Sequence, residues 1–141
     1  MNAKDFLQQV KKLDKMIENK LAEVQRWKDI ANSATSNMSG EKVESSHNPH
    51  KIVDAICTYM DLETEIKKDI DALVRIKNDV ISVIEQLNAT EYDLLHKVYI
   101  QHYRLDEAAY MLKNSYSWAT TVHGRALKHV QKILDEREKG T

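Results

Sequence analysis

The side chains able to do chemistry are scattered along the chain. His47 and His50 stand three residues apart, a spacing that suits a metal ion, but they lie in a polar stretch with no cysteine nearby. Cys57 falls one step from an apolar helical position and reads as a small buried side chain, not a nucleophile. Asp69 and Asp71 are two apart on a helix and do not face each other. No Ser/His/Asp arrangement, glycine-rich phosphate loop or paired carboxylates stand out, so the chain is expected to be no enzyme and to need no cofactor or metal. What does stand out is charge. Between residues 113 and 134 there are Lys113, Arg125, Lys128 and Lys132, with no acid at all, and His123 and His129 lie among them. The net charge of the chain is only −1, so this stretch is the place a polyanion would seek.

The elements that must position these residues are helical. The chain has 141 residues, 42% of them hydrophobic and 30% charged, with 3 Gly and 1 Pro. So few chain breakers cannot punctuate a many-stranded sheet. The single Cys excludes an intrachain disulfide. No apolar run approaches the ~18 residues of a membrane span, and no signal peptide is visible, so a cytoplasmic protein with no membrane partner is expected. Residues 3–32 place Phe6, Val10, Leu13, Ile17, Leu21, Val24, Trp27 and Ala31 on one helical face. Residues 33–50 are small and polar and read as a flexible loop. Asn48 suits an N-cap and Pro49 the first helical position. A second long helix then runs to about Gln86, with Ile52, Tyr59, Ile66, Leu73, Val80 and Leu87 recurring every seven residues. Ile56, Ile70 and Ile84 occupy the complementary heptad position, with Glu63 and Lys77 between them. Such a repeat implies helices wound around each other. Residues 1–87 are therefore expected to form a long antiparallel coiled-coil hairpin; the 18-residue loop leaves an intermolecular arrangement open, and a homodimer through the long helices is expected.

Residues 88–141 form the second expected domain. Thr90 can cap a helix over 91–101 that buries Leu94, Leu95, Val98 and Tyr99. A short helix follows over 105–112, then a three-residue turn, Lys113-Asn114-Ser115, in which Asn114 best tolerates a left-handed conformation. The last helix starts at Tyr116 or Ser117 and turns Ala119, Val122, Ala126, Leu127, Val130, Ile133 and Leu134 inward. Small Ala108 and Ala109, the plug Leu112, the turn, and then Ala119 and Val122 make helix-turn-helix arithmetic. Small residues where the helices cross let the second helix protrude into a major groove.

Leu87, Glu91, Leu94-Leu95 and Tyr99, then Leu105-Asp106-Glu107-Ala108-Ala109 and Leu112, then Ser115, Val122, Ala126-Leu127 and Val130 resemble region 4 of bacterial sigma factors. The whole chain resembles small phage-encoded transcriptional regulators of the ArpU/RinA type. The resemblance implies an all-α protein whose helical hairpin precedes a sigma region-4-like helix-turn-helix. It implies a phage or prophage regulator that binds double-stranded promoter DNA, with host RNA polymerase as a further partner. Carried over, base edges would be read from Tyr116, Ser117, Thr120 and Thr121. Trp118 would lie beside Tyr116 against sugar or thymine. Lys113, Arg125 and Lys128 would neutralise phosphates, which position a protein without specifying sequence, and His123 or His129 could join them. Two alternatives compete: a small terminase subunit, which recognises DNA for packaging, and an interaction module whose helix-turn-helix binds a protein. The residues themselves also allow quieter roles. Trp118 can pack on the first long helix, Arg125 can pair with an acid such as Asp106, and Tyr116 can close the turn.

Overall fold

The computed structural model describes residues 1–39 and 49–140. Among the described residues the chain is all helical, with no strand. Helix α1 spans Ala3–Ser39, α2 Pro49–Ile84, α3 Ala89–Leu95, α4 Leu105–Met111 and α5 Tyr116–Lys139. A π turn, His96–Ile100, continues α3.

The long helices begin where capping chemistry directs. Asn2 Oδ1 accepts a hydrogen bond from the Asp5 amide at 2.8 Å and so caps α1. Pro49 opens α2, where its missing N–H costs nothing. The proposed cap Asn48 lies outside the described residues. Helix α1 does not stop near residue 32 but continues through Ser39, so 33–39 belong to the helix and not to a loop. Thr35, Ser36 and Asn37 are weaker helix formers than leucine or lysine. Gly40 is the first strong breaker that α1 meets.

The chain divides into two compact units, residues 14–72 and residues 1–13 with 73–141. The sequence placed the boundary between 87 and 88 instead. In the 14–72 unit, Lys20 Nζ meets Asp69 at 2.7 Å and Glu65 at 3.5 Å. Lys28 Nζ meets Glu63 at 3.1 Å and lies over the Tyr59 ring. The partners run in opposite order along α1 and α2, as neighbours do when antiparallel. Ile17, Val24, Ala31, Ala55 and Ile66 are buried here. Cys57 is exposed, contrary to expectation, because its position falls outside that buried face.

The other unit is built on two apolar clusters. In the larger, Phe6, Leu7 and Val10 of α1 join Val80, Val83 and Ile84 of α2, Leu95 of α3, Tyr99 and Ile100 of the π turn, and Ala126, Val130 and Leu134 of α5. This shared core explains why the boundary departs from 87/88: α5 buries its inner face against the ends of both long helices. The smaller cluster gathers Leu94, Ala108, Ala109, Ala119 and Val122 where α3, α4 and α5 meet. The π turn serves both. Gln101 N donates to His96 O at 3.0 Å, an i→i+5 bond. The extra residue per turn lets Tyr99 and Ile100 follow Leu94 and Leu95 at a spacing of five and still be buried. Ile100 thereby replaces Val98, which is only half-buried, as the deeper side chain.

Candidate nucleic-acid interface

Each end of the α4–turn–α5 segment is fixed by its own local bonds. Arg104 N donates to Glu107 Oε1 at 3.0 Å at the start of α4. At its end, Lys113 N donates to Tyr110 O and Asn114 N to Ala109 O, both at 3.0 Å. That pair of bonds needs a left-handed residue just past the helix, and Lys113 supplies it with φ 58°. The sequence pointed to Asn114 instead. The reversal falls one residue earlier because Leu112 is the C-cap, and Asn114 uses its side chain to donate to Leu112 O at 3.0 Å. Helix α5 is then capped by Ser115, whose Oγ accepts from Trp118 N at 3.0 Å. Helix α3 is capped not by Thr90 but by Asn88, whose Oδ1 accepts from Glu91 N at 2.9 Å. Asn is at least as good a cap as Thr, and Asn88 already has the extended backbone a cap requires.

Ala108, Ala109, Ala119 and Val122 are all buried at the crossing, so α4 and α5 approach closely. The first turns of α5 stay open. Tyr116 is 58% exposed, and Ser117, Thr120 and Thr121 are exposed with it. Lys113 and Lys128 are exposed as well. Trp118 is half-buried against the Leu94 cluster, so it packs on its own unit's α3–α4 face and not on the first long helix. The two threonines are not free donors. Thr120 Oγ1 donates to Ser117 O at 2.8 Å, and Thr121 Oγ1 to the same oxygen at 3.1 Å. With their protons spent on the backbone, they offer lone pairs and methyl groups outward.

Arg125 is differently placed from the open lysines. Its Nε donates to Glu91 Oε2 at 2.9 Å, and His129 Nδ1 donates to Glu91 Oε1 at 2.8 Å. The Glu91 side chain is 1% exposed, against 51% for Arg125. Burial alone would raise the Glu91 pKa, but the hydrogen bonds from His129 and Arg125 outweigh it and hold the carboxyl below its ordinary range. The basic run of 113–134 thus lacks acids in sequence but not in space. Asp106, the acid considered for Arg125, pairs with Arg104 at 3.2 Å. His123 is also engaged: its Nε2 lies 2.7 Å from Tyr99 Oη. Burial, with the nearby Lys4 charge, lowers the pKa of His123, and burial pushes Tyr99 up to about 12. Both histidines already have a protein partner: His123 is half-buried against Tyr99, and His129 is exposed but bonded to Glu91.

Two features escaped sequence reasoning. One is the burial of Glu91 beneath Arg125 and His129. The one hint was the i, i+4 pair Arg125 and His129 beside inward-facing Ala126 and Val130, which calls for an acid without saying which. The other is a group of exposed apolar side chains around the turn, with Tyr110 85% exposed and Met111 beside it. Tyr110, Met111, Lys113, Asn114 and Ser115 line a shallow hollow there. Among the described residues no three His, Cys, Asp or Glu side chains come together to hold a metal, and His47 lies outside the described residues. No described helix is long and apolar enough to cross a membrane. No family model, curated protein or solved structure matches the chain.

Proposed function

We propose that this chain is a sequence-specific double-stranded-DNA-binding transcriptional regulator of phage or prophage type. In this reading α4 and α5 form a sigma region-4-like helix-turn-helix, α1 and α2 form a coiled-coil hairpin, and a dimer acts on promoter DNA, with RNA polymerase as a further contact. The observation that carries it is the open leading end of α5. Tyr116, Ser117, Thr120 and Thr121 are exposed between two exposed cations, Lys113 and Lys128, while alanines let α5 stand close over α4. Helix α5 enters the major groove by this end. Thr120 and Thr121 accept from the amino groups of adenine or cytosine and touch thymine methyls. Lys113 and Lys128 hold phosphates, and Arg125 contributes only what Glu91 leaves unsatisfied. Two such helices in a dimer reach successive turns of one DNA face, about 34 Å apart.

Titration of the full chain with random-sequence duplex at low salt tests this directly. Micromolar binding that weakens steeply with added salt is expected, and no binding at that concentration removes the reading. Lys113→Ala and Lys128→Ala weaken binding to all sequences alike and each lower the salt slope by about one. Thr120→Ala and Thr121→Ala instead cost about 1 kcal/mol of discrimination on a selected site. The exposed Tyr110 and Met111 favour one second reading, a protein-binding role for the same fold. It predicts that a Tyr110→Ala chain binds duplex DNA normally and loses a protein partner instead.

A further inference from the structure

Helix α2 carries two seams side by side within residues 14–72. Ala55, Tyr59, Leu62, Ile66 and Asp69 are buried or half-buried and face α1, with Asp69 on Lys20 and Tyr59 under Lys28. One residue further on, Ile56, Met60, Glu63, Lys67 and Ile70 repeat the same steps of four and three. At 100° per residue they form a second stripe, turned by that angle from the first. Ile56 and Glu63 of this stripe are half-buried, Glu63 on Lys28, but Met60, Lys67 and Ile70 stand open, Met60 57% and Ile70 43% exposed. Leu21, seven residues before Lys28 and so on the same side of α1, is also exposed and widens it.

We infer that this stripe is the surface on which a second copy of the chain docks, with the two α2 helices antiparallel and the two-fold axis level with Glu65. In that register each residue meets the one whose number completes 130. Met60 then faces Ile70 of the second copy, and Glu63 faces Lys67, twice over by symmetry. Apolar side chains meet apolar ones, and opposite charges meet across the axis. A parallel pair would set Glu63 against Glu63 and Lys67 against Lys67. The pattern is therefore self-complementary in one direction only, which argues for a second copy as occupant and not an unrelated helix. The inference rests on the dimer of the proposed function but not on its DNA contacts. A chain that dimerises without binding DNA keeps it, and a monomer that binds DNA loses it.

Sedimentation equilibrium of the full chain without DNA, at low salt and up to about 100 µM, is the test. A concentration-dependent dimer is expected. Lys67→Glu and Glu63→Lys each weaken it about tenfold, by placing like charges together twice. An equimolar mixture of the two variants recovers the original affinity, because each then supplies the charge the other needs. In a Cys57→Ser background, Met60→Cys with Ile70→Cys forms a covalent dimer on oxidation, whereas Met60→Cys alone does not. This cross-link decides the matter even if Glu63→Lys perturbs its pairing with Lys28. A chain that stays monomeric, a mixture no tighter than either variant alone, or efficient cross-linking through Met60→Cys alone would overturn the inference.

Discussion

Glu91 holds the strongest commitment of any single side chain here. It is buried, ionised and bonded by two groups from α5, Arg125 and His129. Leaving a buried charge or its partner unmatched costs far more than an exposed ion pair contributes. Glu91→Ala is expected to lower unfolding stability by about 2 kcal/mol, and a Glu91/Arg125 double-mutant cycle to show about 1 kcal/mol of coupling in urea titrations. Independent effects of the two changes would contradict the clamp. The protonation behaviour of two residues sets a pH dependence with a definite sign. The folded-state pKa of Glu91 lies below its ordinary 4.5 and that of His123 below its ordinary 6.5. In both, the unfolded chain takes up protons before the folded one, so their stabilisation is present above those values and is lost on acidification. The melting temperature is expected to fall as pH drops below about 6.5 and again below about 4.5, the ordinary values of the two groups. Burial also lowers the pKa of His96, so His123→Gln should flatten only its own share of the upper part of that fall and leave the lower part.

At the scale of the element, α5 is defined by its start and by one residue in its middle. Ser115→Ala removes the side-chain acceptor for Trp118 N and is expected to cost about 1 kcal/mol in thermal unfolding. Gly124 sits within α5 on the same exposed face as Ser117, Thr120, Thr121 and Lys128, and a Cβ there would meet nothing within 4 Å. Gly124→Ala is therefore expected to stabilise the protein by about 1 kcal/mol. If α5 lies in a groove along this face, the same change weakens DNA binding despite the added stability. Opposite signs from one substitution separate an interface glycine from a merely tolerated one.

At the scale of the whole molecule, α5 depends on residues far from it in sequence. Leu7 and Val10 from α1, and Val80, Val83 and Ile84 from α2, are buried in the same cluster as Ala126 and Val130. The Ala3 amide also donates to Gln131 Oε1 at 2.7 Å. A fragment of residues 88–141 lacks that half of the cluster and is expected to show no cooperative thermal transition by circular dichroism. A fragment that melts as sharply as the full chain would restore the boundary at 87/88.

The sequence by itself determined the helices, because periodicity, caps and breakers act within a few residues. Pro49 at the start of α2, the start of α5 at Tyr116, and the inward set Ala119, Val122, Ala126 and Val130 were all legible that way. So was the exposure of Ser117, Thr120 and Thr121. The extra turns of α1 and the π turn at His96–Ile100 were not, since weak formers and one inserted residue leave little trace in a periodic pattern. Only the tertiary structure decided which charges meet. For Arg125 the sequence offered Asp106 as a possible partner, yet Glu91, 34 residues away, is the acid bonded to it. Local pattern says which side of a helix is wet, and packing between distant segments says what stands opposite.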